Sequence, residues 1–112
     1  MHPIFRARGE DMMDGLIAGK LLGDPEQRSG KGDSQFVVAK LRAQAGDGEN
    51  LIVNVIAFDA TPCRDLLALR DGDSVALSGS LTPKAWTDKQ GNVKPALDLV
   101  AQRVLSAYQT DD

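Results

Sequence analysis

An all-β barrel is the fold class this sequence predicts, and three observations carry the prediction. Apolar and β-branched runs recur as "QFVVAKLRAQA" (35–45), "NLIVNVIAF" (50–58) and "SVALSGSLTPKAW" (74–86), with alternation in place of helical spacing. Turn chemistry separates them: Gly46-Asp47-Gly48 follows the first run and "TDKQGN" (87–92) follows the third, both hairpin signals. Only one segment, "TPCRDLLALRDGD" (61–73), changes period.

Taken in order, residues 1–12 mix charges, lack periodicity and contain Pro3 and Gly9, which predicts a flexible extension. The domain is expected over 13–108, with 109–112 as a short tail. A first strand is expected in "GLIAGKLLG" (15–23), an apolar run bounded by glycines. "DPEQRSGKGDS" (24–34) is rich in Pro, Gly and Ser and predicts a loop. The second and third strands are the runs at 35–45 and 50–58. Thr61-Pro62 opens a short helix through Leu66, Leu67 and Leu69, and Asp71-Gly72 ends it. In the fourth strand Val75, Leu77, Gly79 and Leu81 face one way, while Ala76, Ser78, Ser80, Thr82, Lys84 and Trp86 face the other. "VKPALDLVAQRVLSAY" (93–108) is the fifth strand.

Five strands with one short helix between the third and fourth is the order of an OB-fold, a five-stranded, partly open Greek-key barrel. Gly79 among large apolar neighbours suits a sharply bent barrel strand. A parallel βαβ sheet is excluded by consecutive strands and a single helix. A small SH3-like or split barrel is the alternative architecture.

Composition narrows the function classes. The 112 residues suffice for one core, and 42% apolar with 26% charged residues is ordinary for a globular chain. Cys63 is the only cysteine, so no internal disulfide forms and a reducing, cytoplasmic compartment is expected. No run approaches the ~18 apolar residues of a membrane span, and the N-terminus has no secretory h-region. The net charge of −3 and pI near 5.0 oppose a whole-surface nucleic-acid binder but leave room for a local basic groove.

Catalysis finds no cluster of roles in the sequence. His2 is the only histidine, and a lone His is not a metal site. Cys63 has no histidine to activate it and reads as a partly buried core thiol. The Gly-rich turns lack the Gly-Lys-Ser/Thr of a phosphate-binding loop. No cofactor, no metal and no enzymatic activity are expected.

Binding chemistry concentrates around the single tryptophan, in "KAWTDKQGNVK" (84–94). Trp86 shares strand parity with polar residues, so its indole is expected on the solvated face, between Lys84 and Lys89 and near Lys94. Exposed aromatics beside cations are the chemistry of single-strand binding, in which bases stack and phosphates pair. A Trp folded over the barrel mouth, or buried by a neighbouring subunit, is the competing structural role. In the third strand Leu51, Val53, Val55 and Ala57 form a uniformly apolar face, leaving Ile52, Asn54, Ile56 and Phe58 opposite. A mid-strand Asn belongs in solvent, since a buried amide needs partners, and parity then exposes Phe58. Packing of Ile52, Ile56 and Phe58 in an oligomer interface is the alternative. Lys20, Lys31, Lys40 and Arg42 extend the cationic path for phosphates, with Arg28 in the first loop. Phe36 and Val38 are expected to point inward, which would carry Lys40 inward unless a bulge intervenes.

Several stretches resemble bacterial single-stranded DNA-binding proteins, including the shortened primosomal replication protein N relatives. The shared pattern is a Gly-x-Leu first strand running to Asp24-Pro25-Glu26, Val55-x-x-Phe58, "GDSVALSGSL" (72–81) and "WTDKQGN" (86–92), over about residues 14–105. The resemblance implies a homodimer or homotetramer that coats single-stranded DNA without strong sequence preference in replication, recombination or repair, in the cytoplasm at the nucleoid. Ile52 stands where the family usually has an aromatic, "AQAGDGEN" (43–50) lacks a second tryptophan, and the chain stops at "SAYQTDD" without an acidic, Phe-ended tip. These departures favour an accessory or primosome-type role, with replication or primosome proteins as partners. An OB domain serving only protein interaction is the remaining alternative.

Overall fold

The structure, a computed structural model, describes residues 13–106 except 45 and 47, and the backbone alone at Ser106. The expected extension at 1–12 and tail at 109–112 lie outside the described residues, as do Asp47 of the expected hairpin and the end of the last strand. Six strands and one helix form in the order β1 (Met13–Leu21), β2 (Glu26–Ser29), β3 (Gln35–Gln44), β4 (Asn50–Ala57), α1 (Ala60–Leu67), β5 (Ser74–Thr87) and β6 (Val93–Ser106).

The strands run β1-β5-β6-β4-β3-β2 across the sheet. Lys20 and Leu21 of β1 also pair with Arg42 and Leu41 of β3, so β1, β5, β6, β4 and β3 close a five-strand ring. All pairings are antiparallel except β4 with β6. With the helix between β4 and β5, this is the OB arrangement. Inside lie Leu21, Val37, Leu41, Val53, Val55, Leu77, Leu81, Leu99 and Val104. Leu66 of α1 and Leu69 just beyond it join the same core, so the helix is held by its apolar stripe more than by propensity.

Two glycines make the closure sterically feasible. A Cβ at position 19 would fall on the Arg42 carbonyl oxygen, where β1 meets β3. At position 79 it would fall on the Val100 carbonyl oxygen, at the Ser78/Gly79 register shift between β5 and β6. The extra residue is Gln102 of β6, between the pairs Ser78–Arg103 and Gly79–Ala101, so the bulge bends β6, and β5 runs on past it from the ring into the arm that carries Trp86.

Three expectations need correction. The stretch 24–34 is not all loop: Glu26–Ser29 pairs with Gln35–Val38 of β3, and the Gly30 N–H donates to the Ser34 carbonyl at 2.8 Å to close the hairpin. Every residue of β2 is exposed, so it carries no apolar alternation and arises from pairing alone. The helix ends at Leu67, well short of 73, and begins one residue before Thr61. Beyond it, the Arg70 N–H donates to Asp73 Oδ2 at 2.8 Å and Gly72 takes φ 86°, which is turn geometry.

The third correction concerns the facing of β3. Val37, Leu41 and Ala43 are buried and Ala39 packs against the core, so Phe36, Val38, Lys40 and Arg42 point outward. No bulge is needed to expose Lys40. The four odd positions are all apolar, and that unbroken apolar parity filled the core. Cys63 is half-buried, and its thiol donates to the Ala57 carbonyl at 3.2 Å.

Candidate nucleic-acid interface

The outward face of β3, β4, β6 and the outer half of β5 forms a groove of about 740 Å³. Alternation sets its floor: Val38, Lys40, Asn54, Ile56, Asp98 and Val100 point outward because their neighbours in sequence fill the core. One wall is the chain leaving β1, at Leu22, Gly23 and Asp24. Hydrogen bonds hold that wall. The Leu22 N–H donates to the Lys40 carbonyl at 2.9 Å, the Gly23 N–H to Asp71 Oδ1 at 2.7 Å, and the Asp71 N–H to Asp24 Oδ1 at 2.8 Å. The Gly-Asp-Pro-Glu stretch is therefore clamped to the turn that precedes β5.

At one end the floor continues to a second hollow, where Leu22, Lys40, Ile52, Asn54, Lys84 and Trp86 meet. Trp86 is 45% exposed and pairs with Lys94 across β5 and β6. The hairpin beyond it is ordered by Asp88. Its Oδ1 accepts from the Gln90 and Asn92 N–H groups, both at 2.9 Å, while the Asp88 N–H donates to the Asn92 carbonyl at 2.9 Å. The Asn92 amide first, helped by the Gln90 amide, the Asn92 side chain and the Lys94 charge, outweighs the opposing desolvation and holds the Asp88 carboxyl below its usual value. This turn presents Lys89 exposed at its tip.

Phe58 lies at the opposite end, 57% exposed. Its ring stands 6.2 Å from that of Phe36, tilted by 46°, within the range of favourable aromatic pairs. Carrying the β4–β6 register two residues back from its Ile52–Ala96 pair puts Trp86 level with Asn50, so the two aromatic ends are roughly 25 Å apart by strand rise.

Charge on this face is balanced more closely than the lysine count implies. Lys84 Nζ lies 3.6 Å from Asp98 Oδ2, and Asn54 Nδ2 donates to Asp98 Oδ1 at 3.2 Å. Arg28 pairs with Glu26 at 3.0 Å. Lys40 has no ion pair among the described residues.

Of the expected site residues, the structure brings Lys40, Asn54, Lys84 and Trp86 together in the groove. Arg42 extends the same face beyond Lys40, opposite Ile52. Phe58, Lys89 and Lys94 flank its ends, and Lys31 is exposed in the β2–β3 turn. Lys20 is not gathered with them: it lines a separate hollow with Ala18, Ser74, Ala76 and Leu105. Phe36 and Asp98 were missed. Phe36 was legible from the charges two and three positions further along its own parity, Lys40 and Arg42. Asp98 sits in "ALDLVA", where the alternation of Asp98 with Leu97 and Leu99 already marks it as outward.

No family model matches the sequence, and no curated protein matches it. Among solved structures, the mitochondrial single-stranded DNA-binding protein Rim1 of S. cerevisiae superposes with a TM-score of 0.64 at 15% identity. That match covers 87% of this chain and 96% of Rim1. The small single-stranded DNA-binding protein of Streptomyces coelicolor superposes with a TM-score of 0.65 at 16% identity, over 89% of this chain and 99% of the other. At these identities the likeness is one of backbone architecture, and it establishes that this chain has the OB fold of the single-stranded DNA-binding proteins.

Proposed function

We propose that this protein binds single-stranded DNA along the groove, as a binding module and not an enzyme. The observation that carries the reading is a single outward face with an aromatic platform at each end and cations between them. Bases stack on Trp86 and on Phe58 backed by Phe36, while Lys40, Lys84, Lys89, Lys94, Arg42 and Lys31 meet phosphates. Stacking is sequence-tolerant, because every base has a π face. Such a module serves wherever strands are exposed, in replication, recombination or repair at the nucleoid, with primosome or other replication proteins as partners.

Because Trp86 is the only tryptophan, its emission reports this site alone. Titration with oligo-dT should quench it, with a log-log salt slope of about −0.7 per phosphate neutralised. An unchanged emission at saturating DNA, or a salt-independent affinity, would overturn the reading, since an apolar interaction does not weaken with salt in this way.

The homo-oligomer is part of the same proposal. Residues 13–19 of β1 pair with β5 on one side, and β3 reaches only Lys20 and Leu21 on the other. That edge, unpaired among the described residues and beside Leu16 at 61% exposure, suits pairing with a second copy, since natural proteins cover such edges. Light scattering at micromolar concentration should give a dimer or tetramer mass; a monomer that still binds DNA defeats this part.

A further inference from the structure

Resting on that reading of the groove, we infer that Asp98 gives the face a base preference, favouring bases that carry an exocyclic amino group and disfavouring thymine. A carboxylate in mid-floor repels a polyanion, so phosphate binding does not account for it. Its geometry is that of an acceptor held ready. The Asn54 amide must turn its Nδ2 toward Asp98, because a carboxylate only accepts, and the bond at 3.2 Å fixes the orientation of the carboxylate. Lys84 at 3.6 Å neutralises charge without making a direct hydrogen bond. A carboxylate has about four lone-pair sites, and these contacts leave acceptor capacity open to the groove, where the Asp98 side chain is 45% exposed. Asn54 Oδ1 adds a second acceptor beside it.

Unstacked bases present their Watson–Crick edges to such groups. Guanine offers N1–H and its amino group side by side, and cytosine and adenine each offer an amino group. Thymine offers one N–H between two carbonyl oxygens, which a carboxylate repels. The pair Asn54–Asp98 therefore discriminates where the aromatic ends do not.

The test compares oligo-dC with oligo-dT of equal length, by Trp86 emission, in the wild type, Asp98→Asn and Asp98→Ala. Thermal melts of each variant accompany the titrations. The dC-to-dT affinity ratio is expected to fall by about fivefold or more in both variants, while oligo-dT itself binds more tightly once the charge is gone. Asp98→Asn should favour dT more than Asp98→Ala does, because the new amide can donate to a thymine carbonyl. Equal tightening of both oligonucleotides, with the ratio unchanged, would overturn the inference and leave Asp98 as a partner of Lys84 only. A wild-type protein that binds neither oligonucleotide would instead overturn the groove reading, and this inference with it.

Discussion

Trp86→Ala is expected to weaken single-stranded DNA binding about ten- to a hundredfold, the worth of one stacked base at roughly 1–3 kcal/mol, with little change in melting temperature. The indole is 45% exposed at the end of a hairpin whose turn is closed by Asp88, Gln90 and Asn92 and not by Trp86. Its truncation removes a surface and leaves the core of Leu77, Leu81 and Leu99 intact. Phe58→Ala should have a smaller effect of the same kind, because Phe36 remains beside it. Titration and thermal melting of the same Trp86 variant decide the matter together. A loss of about 3–5 kcal/mol of folding stability, as for a buried aromatic, with DNA affinity retained, would show that Trp86 supports the barrel instead of the ligand.

The opposite signature is expected of Gly79→Ala. The added Cβ would fall on the Val100 carbonyl oxygen, and both strands are hydrogen-bonded at that point, so neither backbone yields easily. Overpacking typically costs about 1–3 kcal/mol, and a clash with backbone belongs near the upper end. For a domain of this size that lowers the melting temperature by roughly 10–20 °C. The effect also reaches the site, since β5 beyond the bulge carries Lys84 and Trp86. Circular dichroism melts test it. A cooperative transition within about 2 °C of the wild type would mean that the β6 bulge can shift to admit a side chain, and that the close approach of β5 to β6 does not depend on glycine.

Much of this molecule is written in local periodicity. The five ring strands, the single helix after Asp59 and the outward facing of Trp86 follow from alternation and turn chemistry, which depend only on neighbours in sequence. β4 was legible on both faces because Asn54 breaks the symmetry of an otherwise apolar run. β3 was harder. Phe36 and Val38 are as apolar as Val37 and Ala39, and only Lys40 and Arg42, further along, mark which parity meets water. A strand with apolar residues on both faces is decided by what it packs against. The exposed strand β2 exists because β3 offers it an edge, and Glu26-Gln27-Arg28-Ser29 shows no pattern of its own. The same holds for the contacts that shape the groove. Asp98 meets Asn54 across β6 and β4, and Lys84 across β6 and β5, while Phe36 meets Phe58 across β3 and β4. The sequence by itself determined which segments are the five ring strands and where the lone tryptophan faces, because side-chain alternation is a property of one strand. The tertiary structure alone decided which charges are neutralised and which rings are paired, because those depend on register between strands distant in the chain.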